Sequence, residues 1–543
     1  MSRTLIVGGG HGADDVGRRR IARALGRSVV WRTCAAAFLG LGRRRVHLHW
    51  TSLFGVIAFA CLLVLAVTGV LLSFSYTPSS DPVTYRGPYA PLEGTQVTAA
   101  FRSMMEISFE QPGGLLLRQT HHWAALVMPA AIVMQILVMF FTGAFRGPRR
   151  LSWVVLVALF VVVLVGGWSG YALPDDMLSG TGLRIVEGVT WAIPVIGGPL
   201  ASWLFGGPFP GEIIEHLYPV HVQIVPTLLA LLLAVRAALA VAFPPAELPR
   251  PVRPTLGLRL WPDVAVRAAG LVMITAGLLV LLGATSTISP VWSYGPASVG
   301  EVSAGSQPDW YMGFLDGALR LVPPGWEAEW FGYTWTFAIL VPLAVVGGYF
   351  LAVIAYPFLE SWVTQDAGPS RLLDRPRNVP VRTGIGVAGI VFYGVLWGAA
   401  GADVIDTAFR VTFGSVIGFL QVALVVGPPL AFEITRRICI GLQRRDREVA
   451  LHGHETGRIV RLADGGYVEV HSPADPAEVA VLAVRPVQAL DARPNDDGDL
   501  TRAELLRGTL SRAFAEGHVR PAADPQEGTA RGVLLRAQGG RDG

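Results

Sequence analysis

Charge is scarce in this chain. Only 15% of its 543 residues are Asp, Glu, Lys or Arg, while 52% are hydrophobic. Soluble globular chains carry about one quarter charged residues, so this balance argues against a water-soluble globule. The formal net charge is only +4, which excludes the strongly basic footprint of a nucleic-acid-binding protein. Cysteine is scarcer still. Cys34, Cys61 and Cys439 are scattered and form no CxxC or CxxCH, so neither zinc nor a covalently attached c-type haem is supported. The Arg-rich stretch before the first apolar run does not read as a cleavable signal. The glycine-rich IVGGGHG (6–12) lacks the helix and acidic partner of a dinucleotide-binding unit and reads as a flexible tail.

Long apolar runs are abundant. Eight stretches, roughly 51–75, 121–143, 151–172, 218–243, 265–284, 333–357, 381–400 and 408–432, approach or exceed the about 20 residues that cross a bilayer. The predicted fold is therefore an all-α polytopic membrane protein with eight transmembrane helices. Arginines gather in alternate loops: Arg43–Arg45, then Arg146, Arg149 and Arg150, then Arg250, Arg253, Arg259 and Arg267, then Arg371, Arg375, Arg377 and Arg382, then Arg436, Arg437, Arg444 and Arg445. The other loops are poorer in basic residues and hold Asp81, Asp175, Asp176, Asp309, Asp316, Asp403 and Asp406. Basic loops stay cytoplasmic, so a multi-pass protein of the cell membrane with both termini cytoplasmic is expected. The organisation reads as a basic N-terminal arm with a surface helix (1–45), a four-helix domain (46–243), a Pro- and Arg-rich linker (244–262), a second four-helix domain (263–440) and a polar cytoplasmic tail (441–543). In the tail, GRIVRLADGGYVEVHS (457–472) alternates around Gly-Gly as a β-hairpin does. The last 50 residues, rich in Asp, Arg and Gly, read as disordered.

Two histidines stand out. His121 and His221 each open an apolar helix. An α-helix turns 100° and rises 1.5 Å per residue, so fourteen positions return a side chain to nearly the same face, roughly 21 Å along. Two facing helices with histidine pairs at that spacing could stack two haems across a bilayer. Here, four turns on, Gln135 stands fourteen positions after His121 and Arg236 fifteen after His221. Arg118 lies one turn before His121, where it could pair a haem propionate, and intramembrane ionisable residues are functional candidates. Gly55 and Gly69 on the first run and Gly170 at the end of the third allow close backbone approach, as a porphyrin edge would require. Plain helix–helix packing is the simpler reading of those glycines.

Longer motifs add to this pattern: HW (49–50), VTYRGPYAPLEG (83–94), ISFEQPGGLLLRQTHHWAAL (107–126), FFTGAF (140–145), GYALPDDMLSGTGLR (170–184), LYPVH (217–221), SAGSQPDWYMG (303–313), LLDRPRN (372–378) and LHGHETGRIVRL (451–462). On these residues the chain resembles the cytochrome b subunit of actinobacterial cytochrome bc complexes, the menaquinol–cytochrome c reductases, from about His49 to about His471. The resemblance implies that the first four helices form a haem-binding bundle. It also implies that His121 and His221 ligate the iron of an outer b-haem, with Arg118 at its propionate. His122 and His216 are rejected as ligands, His122 because it faces elsewhere by helical phase. PDWY (308–311) matches the quinol-oxidising motif. Quinol oxidation releases two electrons and two protons, so an ionisable group is required at the ring hydroxyl. Asp309 is the candidate, with Tyr311 as hydrogen-bond partner or gate and Pro308 holding the turn. Without the family context, Trp310 and Tyr311 would read as an aromatic belt at the lipid boundary. Leu315 and Asp316 depart from the Thr-Glu usual in the family.

Four departures cluster at one place. Gln135 and Arg236 stand where the resemblance calls for the cytoplasmic-side ligands, Val138 where it calls for an arginine, and Leu156 where it calls for a glycine. Haem iron is ordinarily held by His, Met, Cys or Tyr. The expectation is one b-haem on the outer side and a second haem absent, with Arg236 and Leu156 filling part of its volume and Gln135 as a candidate polar partner for Arg236. The resemblance implies a Rieske iron–sulfur subunit, a cytochrome c subunit and menaquinol as partners, with a terminal oxidase and a homodimer as further associations. The expected function is quinol oxidation outside without a complete transmembrane cycle. A cytoplasmic quinone-reducing site is not supported. The competing expectation is a non-catalytic or assembly paralogue of the same subunit.

Overall fold

The computed structural model describes residues 40, 42–46, 49–207, 209–243, 246–247, 257–301, 307–365, 370–482, 489–494 and 499–516. The N-terminal arm up to residue 39 with its IVGGGHG segment, most of the linker 244–262 and the stretch from 517 onward lie outside the described residues. The chain forms two compact units, Met1–Trp50 with Thr255–Val272, and Thr51–Pro254 with Met273–Gly543. In the first unit Arg45–Val46 pairs antiparallel with Leu258–Arg259, and the Arg45 guanidinium donates to Gly257 O at 3.0 Å.

Eight helices among the described residues are long and apolar enough to cross a bilayer: Trp50–Ser73, Gly114–Phe141, Gly147–Ala172, Ile213–Ala242, Leu260–Thr285, Phe337–Thr364, Pro380–Ala400 and Phe413–His452. They are numbered here as the first to eighth spans. The protein is an all-α, multi-pass membrane protein. Helices satisfy backbone hydrogen bonding within the segment, which hydrocarbon cannot do for them. Large apolar side chains such as Val67, Val70, Met273, Phe419 and Val425 remain exposed, as suits a lipid surround.

Hydropathy located the spans better than their ends. Residues 333–336, apolar enough to read as helix, instead form the strand Tyr333–Thr336 paired with Glu327–Trp330. The eighth helix runs 40 residues to His452, well past its apolar part. The hairpin expected in the tail is present as His454–Arg461 against Tyr467–Ser472. Within the last 50 residues, read as disordered, Arg502–Glu516 is instead a helix; from 517 onward the reading falls outside the described residues. Arg507, Ser511 and Phe514 are buried along that helix, one helical face, and Phe514 packs with Val363 and Val379. Composition counts polar residues and misses a stripe of this kind.

The core that positions the site comes from the second, third and fourth spans: Met128, Ile132, Met139, Trp153, Leu156, Leu159, Val225 and Leu229, joined by Tyr311 and Phe314 from the loop after the fifth span. The fourth span contains a π-helical segment, Val220–Ile224. Pro226 has no N–H with which to close an α-turn on Val222. A π-turn holds more residues than an α-turn, so the fifteen positions from His221 to Arg236 do the work of fourteen elsewhere. At the end away from the histidines, Arg382 is clamped by Glu360 (Nε to Oε2, 2.8 Å) and by Asp374 (2.8 Å), and Arg146 reaches Asp374 at 3.0 Å. Removing one member of such a buried pair typically costs about 3–5 kcal/mol, so the motif holding Asp374 ties the sixth and seventh spans to the loop after the second.

Candidate functional site

The second and fourth spans bring His121 and His221 together edge-on, with ring centroids 6.2 Å apart and planes at 63°. One nitrogen of each ring is already engaged. His121 Nδ1 lies 2.9 Å from Thr68 Oγ1. His221 Nδ1 lies 3.0 Å from Gly166 O and 3.2 Å from Ser169 Oγ. An Nδ1 held this way fixes ring orientation and leaves Nε2 available as a ligand atom, the usual second-shell arrangement around metal-binding histidines. Glycines make room for the rings. A Cβ at Gly69 would meet His121 Cε1 at 3.2 Å, and one at Gly170 would meet His221 Cε1 at 2.5 Å.

Both histidines line a cavity of about 380 Å³ whose walls also include Gly69, Gly170, Arg118, Asp176, His122, Asp309 and Tyr311. Arg118 is buried. Its Nη2 donates to Ser289 O at 2.7 Å, while its Nε has no hydrogen-bond partner among the described residues. Buried polar atoms are nearly always satisfied, so this orphaned donor marks a place for an anionic group. Asp176 caps the helix Met177–Trp191 through Ser179. Burial raises its pKa, opposed by the Ser179 hydrogen bonds and by the Arg118 charge.

Asp309 reaches the cavity from the loop before the short 3-10 turn Trp310–Met312, with Pro308 just ahead of it in the extended segment. Tyr311 is buried rather than at a lipid boundary, and its hydroxyl donates to Asp309 Oδ2 at 2.8 Å. Burial first, then the neighbouring Asp309, holds the Tyr311 hydroxyl well above its ordinary pKa, so it keeps its proton and acts as a donor. A Cβ at Gly167 would lie 2.4 Å from that hydroxyl, so this glycine gives Tyr311 its seat. Trp310 Nε1 donates to Leu126 O at 3.1 Å and Trp397 Nε1 to Trp310 O at 3.0 Å, which fastens the loop to the second and seventh spans. Asp316 is turned away, paired with Arg320 at 2.9 Å.

The opposite end of the same four helices is built differently. Leu156 is buried in the core, and Val138 is buried as well. Gln135 Oε1 lies 3.5 Å from where a Cβ on Gly55 would stand. The expected polar partner of Arg236 was Gln135, but Arg236 Nη1 instead donates to Ser152 O at 2.9 Å and lies 3.2 Å from Ser152 Oγ. Ser152 sits one turn before Leu156 on the third span, so the arginine reaches across to that helix instead of back to the second.

Several residues here escaped sequence reasoning. His122 lies 3.2 Å from both carboxylate oxygens of Asp309; the adjacent HH pair, 100° apart on a helix, was the available signal that two faces were being served. Gly167 and Ser152 gave no signal of their own. His216 is engaged elsewhere, its Nδ1 2.9 Å from Leu204 O.

Proteins similar to this chain are known. The family described as "Cytochrome b(N-terminal)/b6/petB" matches residues 126–296. The cytochrome b subunit of the cytochrome bc1 complex of Streptomyces coelicolor is 38% identical over 476 residues, covering 86% of this chain and 87% of that protein. The subunit of the same name from Mycobacterium tuberculosis is 42% identical over 438 residues, 79% of each chain. This chain belongs to the family of cytochrome b subunits of the cytochrome bc1 complex. A solved structure titled "Hyperthermophilic respiratory Complex III" has the same fold, with a TM-score of 0.55 at 18% identity, covering 76% of this chain and 99% of that one.

Membership in the cytochrome b family implies haem b, and the residues present can be tested against it. At the histidine end they fit. Two imidazoles alone do not complete a four-coordinate zinc site, and no cluster of three or more His, Cys, Asp or Glu able to hold a metal occurs among the described residues. Two neighbouring imidazoles held through Nδ1, glycines beside each ring and the unpartnered Arg118 Nε suit a macrocycle with acidic substituents and histidine ligands. At the arginine end they do not fit. Neither Gln135 nor Arg236 is a customary axial ligand, and Leu156 occupies the helix face where a glycine would open space.

Proposed function

We propose that this cytochrome b oxidises a quinol, menaquinol by family, at the histidine end, holds a single b-haem there, and does not complete electron transfer to the far side of the membrane. The observation that supports this most directly is the opening of Asp309 onto the same cavity as His121 and His221. A haem bound there supplies a one-electron acceptor. His121 and His221 would hold its iron, Arg118 would pair an acidic substituent, and Gly69 and Gly170 would keep the rings clear. Asp309 accepts the proton of a quinol hydroxyl, Tyr311 aims the carboxylate, and Pro308 and Trp310 keep the loop in place. In the positive-inside reading this end faces outward, both termini are cytoplasmic, and the protein resides in the cell membrane. A Rieske iron–sulfur subunit takes electrons at that face, with a cytochrome c subunit beyond it. A terminal oxidase and a second copy of the chain are further partners in this reading.

The single-haem reading rests on Gln135, Val138, Leu156 and Arg236. The histidine levels are roughly 21 Å from those positions along the helix axes, so no short path replaces a missing acceptor. Haem quantification on the purified protein, together with quinol oxidation by the chain assembled with its Rieske and cytochrome c subunits and supplied with an added one-electron oxidant, tests the proposal. One b-haem per chain and turnover are expected. Two haems would overturn the single-site reading, and no haem with no turnover would favour the non-catalytic assembly subunit.

A further inference from the structure

Asp309 is the N-terminal flanking residue of the turn Trp310–Met312, yet its side chain makes no capping hydrogen bond to that turn. The carboxylate is held instead by two side chains. Tyr311 donates from within the loop at 2.8 Å. His122 Nε2 approaches from the second span, 3.2 Å from each oxygen. A carboxylate can only accept, so the His122 Nε2 carries the hydrogen. Both partners are mostly buried, with side chains 19% and 15% exposed, where a charge-assisted hydrogen bond is stronger than in water.

We infer that His122 is the positioning residue of Asp309, the donor that turns its carboxylate into the quinol cavity. This deepens the reading of Asp309 as proton acceptor and rests on it. His122 also lines the cavity, and the role assigned to it acts through Asp309. Its neighbour His121 faces His221. Consecutive residues on one helix therefore serve two roles, so any rotation of the second span that re-aims the haem ligand also re-aims the acid. Gly167 contributes by giving the Tyr311 hydroxyl its space.

The test uses the full-length chain with its haem, the infrared bands being read on the chain itself and kcat on its complex with the Rieske and cytochrome c subunits, with an added one-electron oxidant as final acceptor. The infrared carboxylate band that disappears in Asp309→Asn is assigned to Asp309. His122→Phe is expected to shift that band and lower kcat for quinol oxidation about tenfold, the scale of one lost hydrogen bond, with KM within about twofold and the haem spectrum unchanged. His122→Gln keeps an N–H donor and is expected to hold both band and kcat near the native values. An unmoved band in His122→Phe, or a Gln variant as impaired as the Phe variant, overturns the inference. If His122→Phe does not assemble, histidine-labelled protein replaces it: Asp309→Ala must then shift one imidazole ring band, and no shift overturns the inference. The band reports on the contact without turnover. A wild-type protein that shows the band shift but oxidises no quinol refutes the proposed function and leaves the positioning role standing. An active wild type with unmoved bands does the reverse.

Discussion

The same four helices build two unlike ends. At one, glycines stand beside imidazoles, and a Cβ at Gly170 would come within 2.5 Å of His221. At the other, a Cβ at Gly55 would meet Gln135 only at 3.5 Å, Leu156 joins the core, and Arg236 is tied to Ser152. The helices run continuously between the two ends, so the difference lies in side-chain size and donor type. A haem site in such a bundle is a set of small residues as much as a set of ligands. In the single-haem reading, the arginine end differs in both.

The comparison can be broken most sharply at the ligands. His221→Ala should abolish haem binding, while Arg236→Ala should leave haem content unchanged, both read by pyridine haemochrome assay; equal losses would mean the two ends do not differ as described. Next in size, Asp309→Asn should lower quinol oxidation by about 10²–10⁴, the range of a lost general base, with haem content intact. Unchanged turnover would remove Asp309 from the reaction. Rebuilding the other end should double the haem content. The combined variant Gln135→His, Arg236→His, Leu156→Gly and Val138→Arg is expected to bind a second haem, whereas the two histidine substitutions without Leu156→Gly are not, because the leucine still fills the space. A smaller contrast separates the glycines. Gly170→Ala should cost about 1–3 kcal/mol by overpacking and distort the haem spectrum, while Gly55→Ala should leave melting temperature and spectrum nearly unchanged. The smallest effect belongs to Arg236→Met, which removes the Ser152 hydrogen bonds together with the charge. It should alter stability by no more than about 1.5 kcal/mol, measured by thermal melting of the haem-loaded protein.

Much of this was legible in the chain. Eight apolar runs mark eight spans because span length follows directly from bilayer thickness. His121 and Gly69 were singled out by fourteen-residue spacing, Arg118 by lying one turn before His121, and Gly170 by its place at the end of the third run, with their roles implied by the family resemblance. The fourth span was harder. Fifteen residues separate His221 from Arg236, and the π-helical Val220–Ile224 accommodates the extra one, a backbone choice that apolar composition does not encode. The helix Arg502–Glu516 was hidden for a related reason: its buried face has value only against Val363 and Val379, which lie far away in sequence.

By itself, then, the sequence determined the eight membrane spans, which depend on local composition, and its motifs carried the resemblance to the family. Tertiary structure decided the partners. That Asp309 meets His122, that Arg236 settles on Ser152 rather than Gln135, and that Gly167 seats Tyr311 depend on how separate helices approach within a few ångströms. Hydrogen bonds and steric contacts act over that range, and no one-dimensional pattern records it.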